Sequence, residues 1–194
     1  MLDKEFWNNR YYTAQTGWDI GYPSTPLKTF IDTIEDKDLN ILVPGSGRSY
    51  EAEYLHKKGF KKVTIIDFST LALSEFANRV PSFPKNQLIE GDFFEHEGQY
   101  DLILEQTFFC AIDPSLRKDY VNHTSNLLNK NGKIVGVLFA EEFRNNNPPY
   151  GGTKEEYQKL FSTHYIIDKM EIAKNSIKER KGIELFISFK KKIH

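Results

Sequence analysis

The chain has 194 residues and a net charge of −1, from 26 basic and 27 acidic residues interspersed along its length. That length suits one domain with a substantial core, and the balanced charge argues against a nucleic-acid footprint or a membrane-surface patch. One cysteine excludes an internal disulfide, no apolar run reaches the length of a membrane span, and Met1-Leu2-Asp3-Lys4-Glu5 has no charged-then-apolar leader pattern; we expect a single cytoplasmic domain over 1–194.

Residues 3 to 14 carry Phe6, Trp7, Tyr11 and Tyr12 at helical spacing, and a loop follows through Gln15-Thr16-Gly17-Trp18-Asp19-Ile20-Gly21-Tyr22-Pro23. Residues 1–25 thus read as an aromatic cap segment, its helical rings stapling it to the core. Trp18 stands apart, because the segment around it has no periodicity. An indole presented by a loop suits a pocket lid, and its face attracts a cation such as a sulfonium. Pro26 opens a helix through Phe30 and Ile34.

Leu39-Asn40-Ile41-Leu42-Val43-Pro44 is an apolar strand of the kind buried on both faces of a parallel sheet, and it stops at Gly45-Ser46-Gly47. The glycines permit a sharp turn and close approach of a ligand, and Ser49 is positioned to cap the following helix. The next strand, Lys62–Ile66, ends at Asp67, twenty residues after Gly47, where a carboxylate can accept hydrogen bonds from a ribose. A dinucleotide fingerprint needs a third glycine where Tyr50 stands, and there is no Gly-Lys-Ser or Gly-Lys-Thr for a triphosphate. What remains is an adenosine ligand without a phosphate chain, of which S-adenosylmethionine is the obvious example.

Phe68-Ser69 leads into a helix with Leu71, Leu73 and Phe76, which breaks by Pro81. The short strand Gln87-Leu88-Ile89 ends at Glu90-Gly91-Asp92-Phe93-Phe94, where Asp92 could accept from an adenine amino group and Phe93 pack on the ring, or the stretch could be an ordinary turn. Tyr100–Leu104 is the fourth strand, and Glu105 to Ile112 follow at its carboxyl rim, where polar groups face a ligand crevice. Asp113 and Pro114 start a helix with Leu116, Tyr120, Leu127 and Leu128. Arg117, in its first turn, opposes the helix dipole, so it either holds an anion or pairs with Asp113. Asn131-Gly132 turns into the fifth strand, Lys133–Phe139. The polar loop Asn145–Gly152 is a lid or a surface connection. Thr153 caps a helix through Tyr157 and Leu160 with Glu156 in capping-box position, and strands near 165–167 and 183–187 finish the chain. Five strand–helix alternations and a final hairpin predict an α/β, Rossmann-like, doubly wound sheet of seven mostly parallel strands, with an antiparallel strand near one edge. The five histidines share no metal-ligand spacing with one another or with Cys110, so no metal is expected, and Cys110 in its apolar run reads as core.

Taken together, Trp7, Tyr11, Gly17–Gly21, Leu42–Gly47, Asp67–Ser69, Gly91–Phe94, Pro148–Tyr150 and above all Phe108-Phe109-Cys110-Ala111-Ile112-Asp113-Pro114-Ser115-Leu116-Arg117 resemble the thiopurine methyltransferase superfamily, nearest its thiol and halide methyltransferase branch. The resemblance covers nearly the whole chain. It implies that Trp7, Tyr11, Trp18, Gly45, Asp67, Asp92, Phe93 and Gln106 surround S-adenosylmethionine, that Trp18 also reaches the acceptor, and that Arg117 lies near the acceptor and favours a thiolate. Ser46 stands where the family usually has cysteine, and Gln106 where halide-methylating members tend to have tyrosine. The expected activity is methyl transfer to a small thiol, thiopurine, hydrosulfide or halide by in-line displacement. Transfer to oxygen or nitrogen, or donor binding without turnover, are the alternatives. The expected partner is a small-molecule acceptor, with no nucleic acid or membrane, and the expected state a monomer or weak dimer.

Overall fold

The computed structural model describes residues 2–143 and 146–193. Its centre is a sheet of β1 Ile41–Pro44, β2 Val63–Asp67, β3 Leu88–Glu90, β4 Tyr100–Gln106, β5 Leu128–Phe139, β6 Tyr165–Ile172 and β7 Glu184–Lys191 in the order β3-β2-β1-β4-β5-β7-β6. Neighbours from β3 to β5 pair in parallel, whereas β7 runs antiparallel to both β5 and β6. The antiparallel strand therefore lies one place in from the edge.

The continuous apolar runs are explained by two cores, one on each face. Ile41 and Val43 of β1, Leu102 and Leu104 of β4, and Val135 and Val137 of β5 point into one, while Leu42, Ile103, Ile134 and Leu138 point into the other. Because strand side chains alternate, both sets must be apolar for helices to cover both faces. The helices α2 Thr25–Asp32, α3 Tyr50–Lys57 and α4 Thr70–Arg79 contribute Leu27, Ile31, Ala52, Leu55, Leu73 and Phe76 to the first core. The second receives Tyr120, Val121 and Leu127 from α5 Arg117–Leu127, and Tyr157 and Phe161 from α6 Lys154–Phe161. The remaining helix, α1 Lys4–Tyr12, buries only Tyr11. Its polar attachments are a local cap, Asp3 accepting from Phe6 N, and two long-range contacts, Ser69 Oγ donating to Asn8 and Lys4 pairing with Glu90.

Several local expectations change. Ser49 adopts a left-handed conformation (φ +56°) and makes no side-chain cap; its hydroxyl instead donates to Ser46 Oγ and the Gly47 carbonyl, closing the glycine turn. Asp113 caps only a 3₁₀ turn, Pro114–Leu116, and α5 begins at Arg117. Leu128 opens β5, and Asn131-Gly132 lie within that strand, where the register with β4 jumps from Tyr100↔Leu128 to Leu102↔Lys133. The turn-forming residues thus make a bulge that the ladder absorbs. Asn145 of the polar loop lies outside the described residues.

Candidate active site

The strand order reverses between β1 and β4, which opens a crevice at the carboxyl ends of these strands. A cavity of about 870 Å³ occupies it. Its floor is made by the ends of β1 (Gly45–Ser49), β2 (Asp67, Phe68), β3 (Gly91–Phe94) and β4 (Gln106–Phe108), and its cover by Trp7, Tyr11 and Gly17–Ile20. The eight residues expected around the donor, Trp7, Tyr11, Trp18, Gly45, Asp67, Asp92, Phe93 and Gln106, all line it.

Each strand end contributes through a specific local geometry. Gly45 (φ +53°) and Gly47 (φ +52°) both need the left-handed freedom of glycine. The space above them is not open, as expected for ligand approach: a Cβ on Gly45 would lie 2.0 Å from Cδ2 of Phe108, and one on Gly47 would lie 2.7 Å from the Tyr11 hydroxyl. Asp67 joins two rim loops, its Oδ2 accepting from Gly47 N at 2.8 Å and its Oδ1 from Ser69 N at 2.7 Å. Burial raises its pKa above the usual carboxylate range, against the pull of these two N–H donors. Asp92 accepts from Phe94 N at 2.8 Å. Phe93 is less a stacking platform than a wall, 3% exposed and ringed by Phe94, Phe108, Tyr120 and His123 with centroids 4.9 to 5.5 Å away.

The aromatic cover is organised around Trp18, which meets Trp7 edge to face at 5.8 Å and Tyr11 at 5.9 Å. Such pairs add to area burial, so the loop indole and the helical rings hold one another over the cavity. Burial and the Asp67 carboxylate push the Tyr11 hydroxyl well above its ordinary pKa, which keeps it neutral. Tyr12, by contrast, is 84% exposed and takes no part in the aromatic stripe.

Beyond Gln106 the chain turns through Thr107, a β-branched residue at φ +57°. That conformation costs about 1–2 kcal/mol, so something must hold it. Glu105, fully buried beneath the turn, accepts from Phe109 N at 3.2 Å and from the Tyr120 hydroxyl. Its pKa is pushed up to about 7 by burial, with those donors opposing. Cys110 is buried, its thiol pushed up to about 12 by desolvation while Sγ accepts from Phe139 N; it is core, as its apolar run implied.

Arg117 is not on the cavity wall. It is 5% exposed, with Nη1 on Glu156 Oε1 at 2.8 Å, Nη2 donating to the Gly151 carbonyl at 2.8 Å, and its guanidinium over the Phe109 ring at 4.9 Å. Neither expected partner is used: no anion site of the cavity reaches it, and Asp113 accepts from Ser115 instead. The same pairing diverts Glu156 from a capping box, leaving Thr153 Oγ1 alone to accept from Glu156 N. Arg117 thereby pins the Tyr150–Gly151 backbone to α5 and α6.

Two buried charges that sequence reasoning passed over do line the cavity. Arg180, 8% exposed, donates from Nη2 to the Trp18 carbonyl at 2.6 Å and bonds Glu184 Oε1 from Nη1 at 3.2 Å. Glu51, 6% exposed on the first turn of α3, accepts from Ser24 N at 2.8 Å. The only sequence signal for Arg180 was its i,i+4 spacing from a glutamate that opens an apolar strand; Glu51 looked like an ordinary helix-start acid. No cluster of histidine, cysteine and carboxylates able to hold a metal occurs among the described residues.

Comparison with known proteins places this architecture. At 28% identity the chain is similar to a probable thiol methyltransferase 2 of Arabidopsis thaliana, with 95% of this chain and 84% of that protein covered. It is 27% identical to a thiopurine S-methyltransferase of Acinetobacter baylyi, covering 86% and 87% of the two chains, and 27% identical to thiocyanate methyltransferase 1 of Brassica oleracea, covering 95% and 84%. Among solved structures, the 1,6-didemethyltoxoflavin-N1-methyltransferase of Burkholderia thailandensis, determined with S-adenosylhomocysteine, shares the fold with a TM-score of 0.79 at 16% identity, over 98% of this chain and 87% of that one. The model of the thiopurine S-methyltransferase family matches residues 2–191, and the chain belongs to that family.

Proposed function

We propose that this S-adenosylmethionine-dependent methyltransferase methylates a small soft nucleophile by in-line displacement, with a thiol or thiopurine ahead of hydrosulfide or halide. The observation that carries the reading is convergence: eight residues from six separate stretches of the chain wall one cavity at the switch point of the sheet.

The cavity suits the donor. Asp67 offers carboxylate lone pairs to a ribose, Asp92 has an oxygen beyond the one that accepts from Phe94 N, and Trp7, Tyr11 and Trp18 present aromatic faces to a sulfonium. Bound there, S-adenosylmethionine supplies an electrophilic methyl carbon. The chain itself supplies orientation and exclusion of water, which raise the rate of a soft nucleophile held in line without any covalent enzyme intermediate. Trp18 acts on both sides, walling the donor cation and facing the acceptor space. A thiol ionises more readily beside a cation. Arg180 reaches the wall, paired there with Glu184 and the Trp18 carbonyl, whereas Arg117 lies off the wall on Glu156 and the loop carbonyls. Gln106, in place of the tyrosine of halide-methylating members, supports sulfur over halide. Phe108, Phe139, Phe143 and Ile183 give the remaining wall an apolar character.

We also place the protein in the cytoplasm, as a single domain over 1–194, monomeric or weakly dimeric, acting on a small molecule without nucleic-acid or membrane partners. Supporting this is the near-zero net charge. No helix among the described residues is long and apolar enough to cross a membrane.

The test is a panel of thiols, thiopurines, hydrosulfide, iodide, phenols and amines with methyl-labelled donor. Label should pass to sulfur most rapidly. Transfer confined to oxygen or nitrogen would refute the acceptor class, and donor binding with no transfer to any compound would refute catalysis.

A further inference from the structure

We propose that Glu51 is the anion that receives the α-ammonium of the donor's amino-acid tail. The proposal rests on the donor reading above and adds to it a recognition site for the tail.

Most carboxylates on the cavity wall have partners within the protein. Asp67 takes two backbone N–H groups from the rim loops. Asp19 accepts from Gly21 N and pairs with Arg48 at 2.6 Å. Asp113 is occupied by the Ser115 N–H and hydroxyl. Glu51 shares with Asp67 a set of backbone N–H donors only, those of Ser24 and of its own residue, and differs in burial: at 6% exposed it is the one buried carboxylate on the wall among the described residues. Among the described residues it forms no ion pair. Arg180 influences it only across a distance, since both ends of that guanidinium are committed to Glu184 and the Trp18 carbonyl.

A buried carboxylate held by neutral donors is costly, and burial raises its pKa accordingly. If the only task at this position were to receive the Ser24 N–H, a glutamine oxygen would do so without burying a charge. A cationic ligand group that reaches it through the cavity would offset that cost and hold the carboxylate ionised. Its position agrees: Glu51 follows Gly47 of the glycine turn by four residues, on the first turn of α3, and both line the same cavity. Of the positive groups on the donor, the sulfonium already has the aromatic faces of Trp7, Tyr11 and Trp18, and the ammonium is the one left to match.

The experiment compares three ligands by calorimetry: S-adenosylhomocysteine, its desamino analogue and 5′-methylthioadenosine, which lacks the amino-acid tail. The native protein should prefer S-adenosylhomocysteine over the desamino compound by about 10- to 100-fold, as expected for a charge-assisted hydrogen bond. In Glu51→Gln, which keeps an oxygen for Ser24 N, that preference should fall tenfold or more while 5′-methylthioadenosine binds within twofold of native. Loss of affinity for all three ligands by one common factor, or a preference unchanged by Glu51→Gln, would overturn the proposal. If the variant does not fold, equal native affinities for S-adenosylhomocysteine and its desamino analogue would overturn it, and a preference of the stated size would support it. Failure of the native protein to bind any of the three would instead refute the donor reading.

Discussion

Replacing Asp67 by alanine tests how one carboxylate serves both the fold and the ligand. Its two oxygens accept the Gly47 and Ser69 N–H groups at 2.8 and 2.7 Å, so the variant leaves both donors of the β1 and β2 loops without their charged acceptor. A hydrogen bond to a charged group contributes about 1.5–3 kcal/mol, and partial replacement by water at a half-buried rim brings the combined loss to about 2–4 kcal/mol. At roughly 2–4 °C per kcal/mol for a domain of this size, the melting temperature should fall by about 5–15 °C, leaving a folded protein at 20 °C. The ligand loses its ribose acceptor as well, which weakens binding by about 10- to 150-fold at 1.36 kcal/mol per tenfold. Calorimetry at 20 °C should show that loss equally for S-adenosylhomocysteine and 5′-methylthioadenosine, because both carry the ribose. Unchanged affinity alongside the full loss of stability would make Asp67 a loop brace only and refute the ribose assignment. Asp67→Asn, which keeps one oxygen acceptor, should lie between native and alanine in both measurements.

The other predictions concern groups around the rim. Gly45→Ala combines a left-handed φ with a Cβ driven into the Phe108 ring, and should cost about 2–5 kcal/mol in urea denaturation; a loss below about 1 kcal/mol would mean that Phe108 moves aside freely. Glu105 has a folded pKa of about 7 against an ordinary 4.5, so its contribution is most favourable below pH 4.5 and is lost as pH rises to 7. At 1.36 kcal/mol per pH unit that loss reaches about 3 kcal/mol, and Glu105→Gln should gain stability relative to native between pH 5 and 8; a difference independent of pH would refute the buried, protonated acid. Arg117→Met, which removes the clamp on Tyr150 and Gly151, should lower stability by about 1–3 kcal/mol while the acceptor KM changes less than threefold. A tenfold rise in KM with native stability would restore Arg117 to the acceptor site.

Much of the cavity wall was readable because the loops that line it begin where strands stop. An apolar run that ends in Gly45-Ser46-Gly47 or in Asp67 announces its own carboxyl rim, since a strand buried on both faces must surrender its polar residues at its ends. Trp18 was visible for a similar reason, as a large ring in a stretch with no periodic face to bury. Arg117 misled because its local setting, a cation against a helix dipole, does determine that it needs an anion but does not say which one. Glu156, 39 residues away, meets it only after α6 packs beside α5.

By itself, then, the sequence determined the seven strands, their apolar double faces, the glycine turn and the acids that end β2 and β3, all of them consequences of residues adjacent in the chain. Tertiary structure decided what long-range packing alone can bring together. Insertion of β7 between β5 and β6 brings Arg180 to the Trp18 carbonyl across 162 residues, and the start of α2 delivers Ser24 to Glu51. The physical reason is that short-range pattern reports whether a side chain must be buried, whereas the partner of a buried charge depends on which elements the whole fold makes neighbours.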